Sequence, residues 1–372
     1  YKEFKSPLWL VAVDFRKAFD CLSHNGLWAS LLEQNVPVVL VNTLQRIYDG
    51  QSCRVQSDCL SKEFKIQRGV RQGDPISPVL FNAALEKLMR ELEKKWQNEG
   101  WGVKTVPQRR LTNLRFADDL LLVAGSLHQA KGMLKDLMVH ARQYGLEVHT
   151  GKTKILWNGE GRGASTASVP VEAGSFEVLT AEGSTEYLGR LLNLSETHDT
   201  ELHNRVSKAW RKFSLYRDEL TNKHYPLASR LKLFTSVVQP TFLYGCASWT
   251  ITRKRESVIR SLQRKMLRTV LGCRRKVVAQ DGQSCLEDWL PWFKRATAEA
   301  EATRREHHLP DGVEEVARRK FRWAGHVSRR NDGRWSKFLL HWSVSGCRRQ
   351  RRPVIRLSDS VNNCFEGLVG HA

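Results

Sequence analysis

Leu111-Thr112-Asn113-Leu114-Arg115-Phe116-Ala117-Asp118-Asp119-Leu120-Leu121-Leu122-Val123-Ala124 is the stretch on which the fold turns. Two short apolar runs flank an adjacent pair of aspartates, and neither run is long enough for a helix of ordinary length. The pattern predicts a tight β-hairpin with Asp118 and Asp119 in or beside the turn. Adjacent carboxylates repel, and each needs solvent, a proton or a cation. Asp is a common turn former, so the doublet by itself reads as a solvated turn. Its neighbours along the chain change that reading.

Upstream, Leu8-Trp9-Leu10-Val11-Ala12-Val13 is rich enough in β-formers for a buried strand, and it runs out on Asp14. If this strand neighbours the hairpin, three carboxylates converge where strands end. An oxygen-only set of that kind suits hard cations such as Mg²⁺. Two such ions roughly 4 Å apart clamp the attacking and leaving oxygens of a phosphoryl transfer.

Between these stretches, Asn25 to Gln34 carries apolar residues at helical spacing, and Pro37 marks the next helix start. Cys53-Arg54-Val55-Gln56 and Glu63-Phe64-Lys65-Ile66 pattern as a hairpin. Arg68 to Pro75 is a glycine-punctuated loop, and a long helix follows over Ser77 to Asn98 with Leu80, Ala84, Leu85, Leu88 and Leu92 on one face. Downstream, Leu127 to Tyr144 is a second amphipathic helix closed by Gly145. Lys154-Ile155-Leu156-Trp157 has the pattern of an edge strand, 158–180 that of an irregular hairpin or loop, and Tyr187 to Leu192 that of a further strand. The expected fold class to about residue 195 is α+β, an antiparallel sheet with helices on one face. Beyond 200 the character is helical, with candidates at 200–222, 226–241, 254–271 and 287–306. Gly272 to Gly282 patterns as a linker. A Trp- and Arg-rich tail follows Asp311 and includes Arg348-Arg349-Gln350-Arg351-Arg352-Pro353.

The net charge of +21 over 372 residues is unevenly placed. Residues 1–200 hold 25 Lys and Arg against 23 Asp and Glu, whereas residues 201–372 hold 35 against 16. Such asymmetry points to a polyanion partner, nucleic acid before acidic membrane. Trp210, Trp249, Trp323, Trp335 and Trp342, interleaved with the charge, are residues on which bases stack. No apolar run approaches the roughly 20 residues of a membrane span, and the start Tyr1-Lys2-Glu3-Phe4-Lys5 has no signal-peptide pattern. The missing initiator Met points to a fragment or a processed product. Eight cysteines at irregular spacing read as reduced intracellular thiols. Cys285, His307 and His308 lack the spacing of a zinc site.

Three segments together carry a resemblance. Val11-Ala12-Val13-Asp14-Phe15-Arg16-Lys17-Ala18-Phe19-Asp20, Arg68-Gly69-Val70-Arg71-Gln72-Gly73-Asp74-Pro75-Ile76-Ser77-Pro78 and Arg115-Phe116-Ala117-Asp118-Asp119 resemble, in order and spacing, three palm motifs of reverse transcriptases. The version is that of LINE-type (non-LTR) retrotransposons, with group II intron enzymes as cousins. The resemblance covers at least residues 8–195. Lys208 to Gly272 is similar to the family's helical thumb, and Arg322-Trp323-Ala324-Gly325-His326-Val327 and Arg352-Pro353 are less specifically similar to tail motifs.

The resemblance implies a polymerase palm over 1–195, a thumb-like region over 196–272 and a basic C-terminal extension over 273–372. It implies RNA-directed DNA synthesis on an RNA template and DNA primer from dNTPs, with two Mg²⁺ ions that Mn²⁺ can replace and no membrane partner. The expected setting is intracellular, in nucleus and cytoplasm. Asp14 and Asp118 would hold both metals, Asp119 would be the weaker ligand or primer-side carboxylate, and Phe15 would offer its backbone carbonyl. Phe19 would fill the space of a ribose 2′-hydroxyl. Gln72, Gly73 and Pro75 would shape the nucleotide site. Lys152 would stand near the triphosphate and protonate pyrophosphate, and Tyr187-Leu188-Gly189 would grip the primer. Taken singly, Phe19 reads as core, Lys152 as a surface lysine and Gln72 as a loop residue.

Two features depart from the family pattern. His149 stands where Asn is usual, which is expected to weaken the local turn. The chain begins only about a dozen residues before Asp14, so the fingers with their triphosphate-holding basic residues are expected upstream. Neither an upstream endonuclease domain nor a complete restriction-like nuclease motif is found in the sequence. The chain by itself is therefore expected to bind nucleic acid and to polymerise poorly. The rival readings are a catalytically incomplete nucleic-acid-binding remnant and a group II intron-type maturase.

Overall fold

In the computed structural model the residues described are 6–106, 109–160, 167–172, 174–195, 197–280 and 283–341. The chain divides into two units, one running to Ser195 and the other beginning at Glu196. In chain order the first unit contains β1 (Trp9–Val13), the short α1 (Ala18–Cys21), α2 (His24–Glu33), α3 (Val38–Tyr48), β2 (Ser52–Cys53), β3 (Phe64–Lys65) and α4 (Ser77–Asn98). There follow β4 (Val103–Val106), β5 (Arg109–Leu111), β6 (Asn113–Phe116), β7 (Asp119–Ala124), α5 (Leu127–Ala141), β8 (Lys154–Trp157), β9 (Ser168–Val171), β10 (Gly174–Val178), β11 (Ser184–Tyr187) and β12 (Arg190–Asn193).

Six of these strands form one sheet in the order β6-β7-β1-β8-β10-β9. β1 lies at its centre, paired antiparallel on both edges, and all five of its residues are buried. Alternation along the strands sends Trp9, Val11 and Val13 of β1 and Leu120, Leu122 and Ala124 of β7 into one apolar cluster. Residues of α2, α3, α4 and α5 complete that cluster, so the helices cover this face of the sheet. The α4 stripe is the one its period predicts: Leu80, Ala84, Leu85, Leu88 and Leu92 are all buried. Each such Leu contributes about 1.5–3 kcal/mol. The packing of α4 on α5 also encloses Asp136, whose carboxylate accepts from Trp96 Nε1 at 3.0 Å and Lys95 Nζ at 2.7 Å. That satisfies a charge otherwise costly to bury.

Several expectations are corrected. β8 is an interior strand, because β10 returns to pair with its outer edge. That pair is parallel, so the sheet is mixed and only largely antiparallel. The stretch from Tyr187 to Leu192 does not continue as a strand: β11 and β12 pair across a two-residue turn in which Leu188 and Gly189 take φ of 50° and 69°. The Cys53–Ile66 hairpin exists but is only two residues long on each side. Within 158–180, β9 and β10 form a hairpin, and residues 161–166 lie outside the described set. The β4–β5 hairpin had no anticipating pattern.

α5 gives way to a 3-10 turn over Arg142–Tyr144, and Gly145 then adopts φ 72°. A Cβ at this position would stand 2.5 Å from the Cys21 carbonyl oxygen. Gly145→Ala therefore meets both the left-handed penalty and a backbone clash, with an expected loss of about 2 kcal/mol or more. The denaturant midpoint followed by far-UV circular dichroism checks this, and an unchanged midpoint would contradict it.

The second unit is mainly helical: α6 (Thr197–Leu215), α7 (Arg217–Thr221), α8 (Leu227–Leu233), α9 (Gln239–Phe242), α10 (Arg253–Leu271), α11 (Trp289–Glu306), α12 (Gly312–Ser328) and α13 (Trp335–His341). The 226–241 candidate carries a π turn over Phe234–Val238. Pro240 follows directly and cannot donate to the Ser236 carbonyl, which accounts for the widened turn. Two findings correct the linker and tail expectations. β13 (Val277–Gln280), inside the supposed linker, pairs with β14 (Gln283–Leu286) just beyond it. The chain beyond Asp311 continues as α12, N-capped by the Asp311 carboxylate, and its Val316 is buried in one cluster with Leu202, Phe213, Leu267 and Ala300. Residues on both sides of Gly272 thus share a core. The run Arg348–Pro353, Trp342 and Tyr1–Lys5 lie outside the described residues. No helix among the described residues is long and apolar enough to cross a membrane, and the six described cysteines are all free.

Candidate active site

β6 and β7 meet through the two-residue loop Ala117-Asp118, closed by the Phe116↔Asp119 pair. Asp118 is therefore in the turn and Asp119 opens β7, as the doublet predicts. Ala117 takes φ 53°. A non-glycine residue held there costs roughly 1–3 kcal/mol, a strain that functional sites tend to keep. The β1–β7 register ends at Val13↔Leu120, so one further step brings Asp14 opposite Asp119. Val13 and Leu120 point into the helix-covered core. By alternation Asp14 and Asp119 therefore turn to the other face.

The backbone of Asp14 is held on both sides. Its N–H donates to Thr153 Oγ1 at 3.2 Å, and its carbonyl accepts from His149 N–H at 2.7 Å. Arg16 N–H donates to the Glu147 carbonyl at 2.8 Å, so the Phe15↔Val148 bridge is made without the Phe15 carbonyl. His149 Nδ1 accepts from Lys152 N–H at 3.3 Å, so the ring caps its own turn. Thr153, fully buried, is thus a positioning residue that no pattern in the sequence had singled out, and His149, noted there only as a departure from the family pattern, is a second.

Asp14, Asp119, Lys152 and Tyr187 line one open cleft of about 430 Å³, together with Gly151, Lys154, Thr185 and Glu186. Lys152 Nζ stands 3.7 Å from Asp14 Oδ2. Lys154 is committed elsewhere, to Glu177 at 2.5 Å and the Gly151 carbonyl at 2.8 Å. Burial pushes the Asp119 carboxyl above its ordinary pKa, and the charges of Asp118 and Asp14 push it in the same direction. Burial pushes the Tyr187 hydroxyl up to about 12, with Asp119 adding to it. The three motif carboxylates are therefore electrostatic neighbours with surplus negative charge.

The donor chemistry fits a hard divalent cation, since every candidate ligand is a carboxylate or carbonyl oxygen. The assembly is looser than expected: two of the three carboxylates line the cleft, and among the described residues no group of three or more His, Cys, Asp or Glu is placed to hold a metal ion.

The remaining predicted residues lie on segments tied to the Asp14 strand. Val70 N–H donates to the Phe19 carbonyl at 2.6 Å and Gly69 N–H to the Leu22 carbonyl at 2.7 Å, docking the glycine-punctuated loop onto α1. Gln72 Nε2 reaches Asp20 Oδ1 at 3.4 Å, and Gly73 takes φ 93°. Pro75 leads into α4, and the Asp74 carboxylate accepts from Ile76 N–H at 3.1 Å. Phe19 is partly buried and stacks on Phe81, with centroids 4.8 Å apart at 18°. Leu188 and Gly189 form the β11–β12 turn that follows Tyr187. None of Phe19, Gln72, Gly73 and Pro75 lines the cleft itself.

Comparison with known proteins agrees with these motifs. A model of the family described as reverse transcriptase (RNA-dependent DNA polymerase) matches residues 1–191. A transposon-derived protein of Caenorhabditis elegans is 32% identical over 258 residues, covering 68% of this chain and 85% of that protein. The Pol polyprotein of the type-2 retrotransposable element R2DM of Drosophila melanogaster is 33% identical over 154 residues, 41% of this chain. The aligned part spans only 14% of that polyprotein's length. Among solved structures, apo telomerase from Candida tropicalis aligns at a TM-score of 0.38 and 16% identity, over 71% of this chain and 41% of that one. At that score the structural likeness adds nothing to the assignment.

Proposed function

This chain belongs to the reverse transcriptase (RNA-dependent DNA polymerase) family, in its non-LTR retrotransposon branch, and from that premise we propose that it carries the nucleotidyl-transfer centre of an RNA-directed DNA polymerase. The observation that carries the reading is the placement of Asp14 opposite Asp119 in one cleft with Lys152. In the reaction a primer 3′-hydroxyl attacks the α-phosphate of a dNTP and pyrophosphate leaves. Asp14, Asp118 and Asp119, with the Phe15 carbonyl, would hold divalent cations, in this reading two Mg²⁺. Bound there, such ions neutralise phosphate charge and favour ionisation of the attacking hydroxyl.

The chain's own groups do the rest. Thr153 and His149 fix the Asp14 backbone from which its carboxylate projects. Lys152 would give a proton to departing pyrophosphate, as its counterpart in the family motif implies. The Tyr187-Leu188-Gly189 turn would hold the primer end, and Phe19 would exclude a ribose 2′-hydroxyl. Gln72, Gly73 and Pro75 would border the incoming nucleotide. In this reading residues 1–195 are the palm, 196–272 a thumb-like region and 273–372 a basic extension. One observation favours the rival, a nucleic-acid-binding chain without catalysis: only two of the three carboxylates line the cleft.

Single-nucleotide incorporation on an RNA template with a DNA primer separates the two. The expected result is slow but Mg²⁺-dependent addition of the templated dNTP, which Mn²⁺ also supports. Tight template–primer binding without any incorporation in either metal would leave the rival standing.

A further inference from the structure

A second concave site lies wholly within the C-terminal unit. Arg217, Lys223, Lys265, Arg268 and Arg274 line one open cleft of about 730 Å³ with Trp292, and no acidic residue is among its described lining residues. The cations come from α7 and the segment after it, from the last two turns of α10, and from just beyond that helix. Elsewhere on α10, three arginines are neutralised. Arg255 pairs with Asp199 at 2.6 Å, Arg260 with Asp311 at 3.6 Å and Arg264 with Glu301 at 2.5 Å. None of the five cleft cations makes an ion pair with a carboxylate among the described residues.

Two of the five are oriented by other means. Lys265 Nζ lies 5.4 Å from the Trp210 ring centroid. The Arg268 guanidinium lies 4.7 Å from the Phe293 ring centroid and donates to Thr297 Oγ1 at 2.8 Å. The C-termini of α7 and α10 meet here and supply some counter-charge. At about −0.5 each, they offset roughly one of the five positive charges. Cys273 supplies none, because burial and neighbouring Glu299 push its thiol up to about 11. Glu299 itself lies 3.9 Å from Arg295. A concave surface with about four uncompensated positive charges calls for an anionic ligand with spaced charges.

We propose that this cleft binds the phosphodiester backbone of a short run of single-stranded nucleic acid, with Trp292 offering its ring to a base. The volume is that of a small-ligand cleft, which takes a few nucleotides of one strand and not a duplex. Trp292 is half-buried and fixed by its Nε1–H bond to the Cys273 carbonyl at 3.2 Å, so its ring is held ready for stacking. The inference rests on the reading above only in taking nucleic acid as the partner. It needs no polymerase chemistry.

The test is binding of a fluorescent single-stranded RNA oligonucleotide by the full 372-residue chain, followed by anisotropy across a salt series without dNTPs. Arg217, Lys223 and Arg274 are exposed, so Arg217→Gln/Lys223→Gln/Arg274→Gln removes charge and leaves the core alone. Lys232→Gln/Arg253→Gln/Lys254→Gln removes the same charge from exposed positions outside the cleft. The cleft variant is expected to bind at least about tenfold more weakly and to lose about 2 from the slope of log affinity against log salt, at roughly 0.7 per cation. The control variant is expected to lose less than half of that. Equal losses in the two variants would overturn the site and leave only diffuse charge. Displacement of the RNA by tripolyphosphate as effective as by unlabelled RNA, at equal phosphate, would assign the cleft to free polyphosphate instead. Should the triple variant fail to fold, Lys223→Gln alone carries the test, with an expected slope change of about 0.7. Because the readout is binding, failure of primer extension leaves it untouched.

Discussion

Asp119→Asn is expected to lower Mg²⁺-dependent primer extension by about 10³-fold or more. A bound cation supplies several kcal/mol of charge stabilisation in the transition state, and each 1.36 kcal/mol is tenfold in rate. Asn keeps the size of the side chain and removes the charge. Asp119 opens β7 across from Asp14, and its carboxyl already feels Asp118 and Asp14 as well as burial. The negative charge it contributes is what a divalent cation would balance. Asp14→Asn should have a comparable effect, and it also releases Lys152 from its 3.7 Å contact. Extension is measured by single-nucleotide incorporation at saturating dNTP. A second readout is free of catalysis: Mn²⁺ binding followed by electron paramagnetic resonance should weaken in both variants. Losses within tenfold, with Mn²⁺ binding unchanged, would remove these carboxylates from the centre.

The second large effect concerns sugar choice. Phe19→Ala is expected to raise use of ribonucleotides relative to deoxyribonucleotides by about 10²-fold, the discrimination a hydrophobic wall typically exerts against one added hydroxyl. The ring is also part of the packing, stacked on fully buried Phe81. Its removal should therefore cost stability, though less than the roughly 3–5 kcal/mol of a fully buried Phe. The two roles are told apart by measuring both quantities. A lower melting temperature with an unchanged rNTP-to-dNTP preference would return Phe19 to the core alone.

The parts of this protein legible in its sequence are those fixed by neighbours along the chain. Adjacent aspartates between short apolar runs gave the hairpin, because turn chemistry and strand alternation act over a few residues. α4, over Ser77–Asn98, was legible from a stripe repeating every three to four residues. Gly145 ended the next helical stretch for the same local reason, its positive φ. Three motifs in the right order then named the family, and the charge imbalance marked the second unit as the basic one.

Only the tertiary structure decided what depends on partners far away in sequence. β8 is interior because β10 pairs with its outer edge, and nothing within Lys154–Trp157 specifies that partner. The β1–β7 register sets Asp14 opposite Asp119 across about a hundred residues of chain. Thr153 and His149 hold Asp14 by bonds that no spacing announces. The hairpin of β13 and β14 arises in a stretch without strong alternation, where pairing and not propensity makes the strand. Which cations of the second unit are neutralised, and which are left facing a cleft, is likewise set by packing. Charge is counted in the sequence, but its compensation depends on distances that only folding fixes.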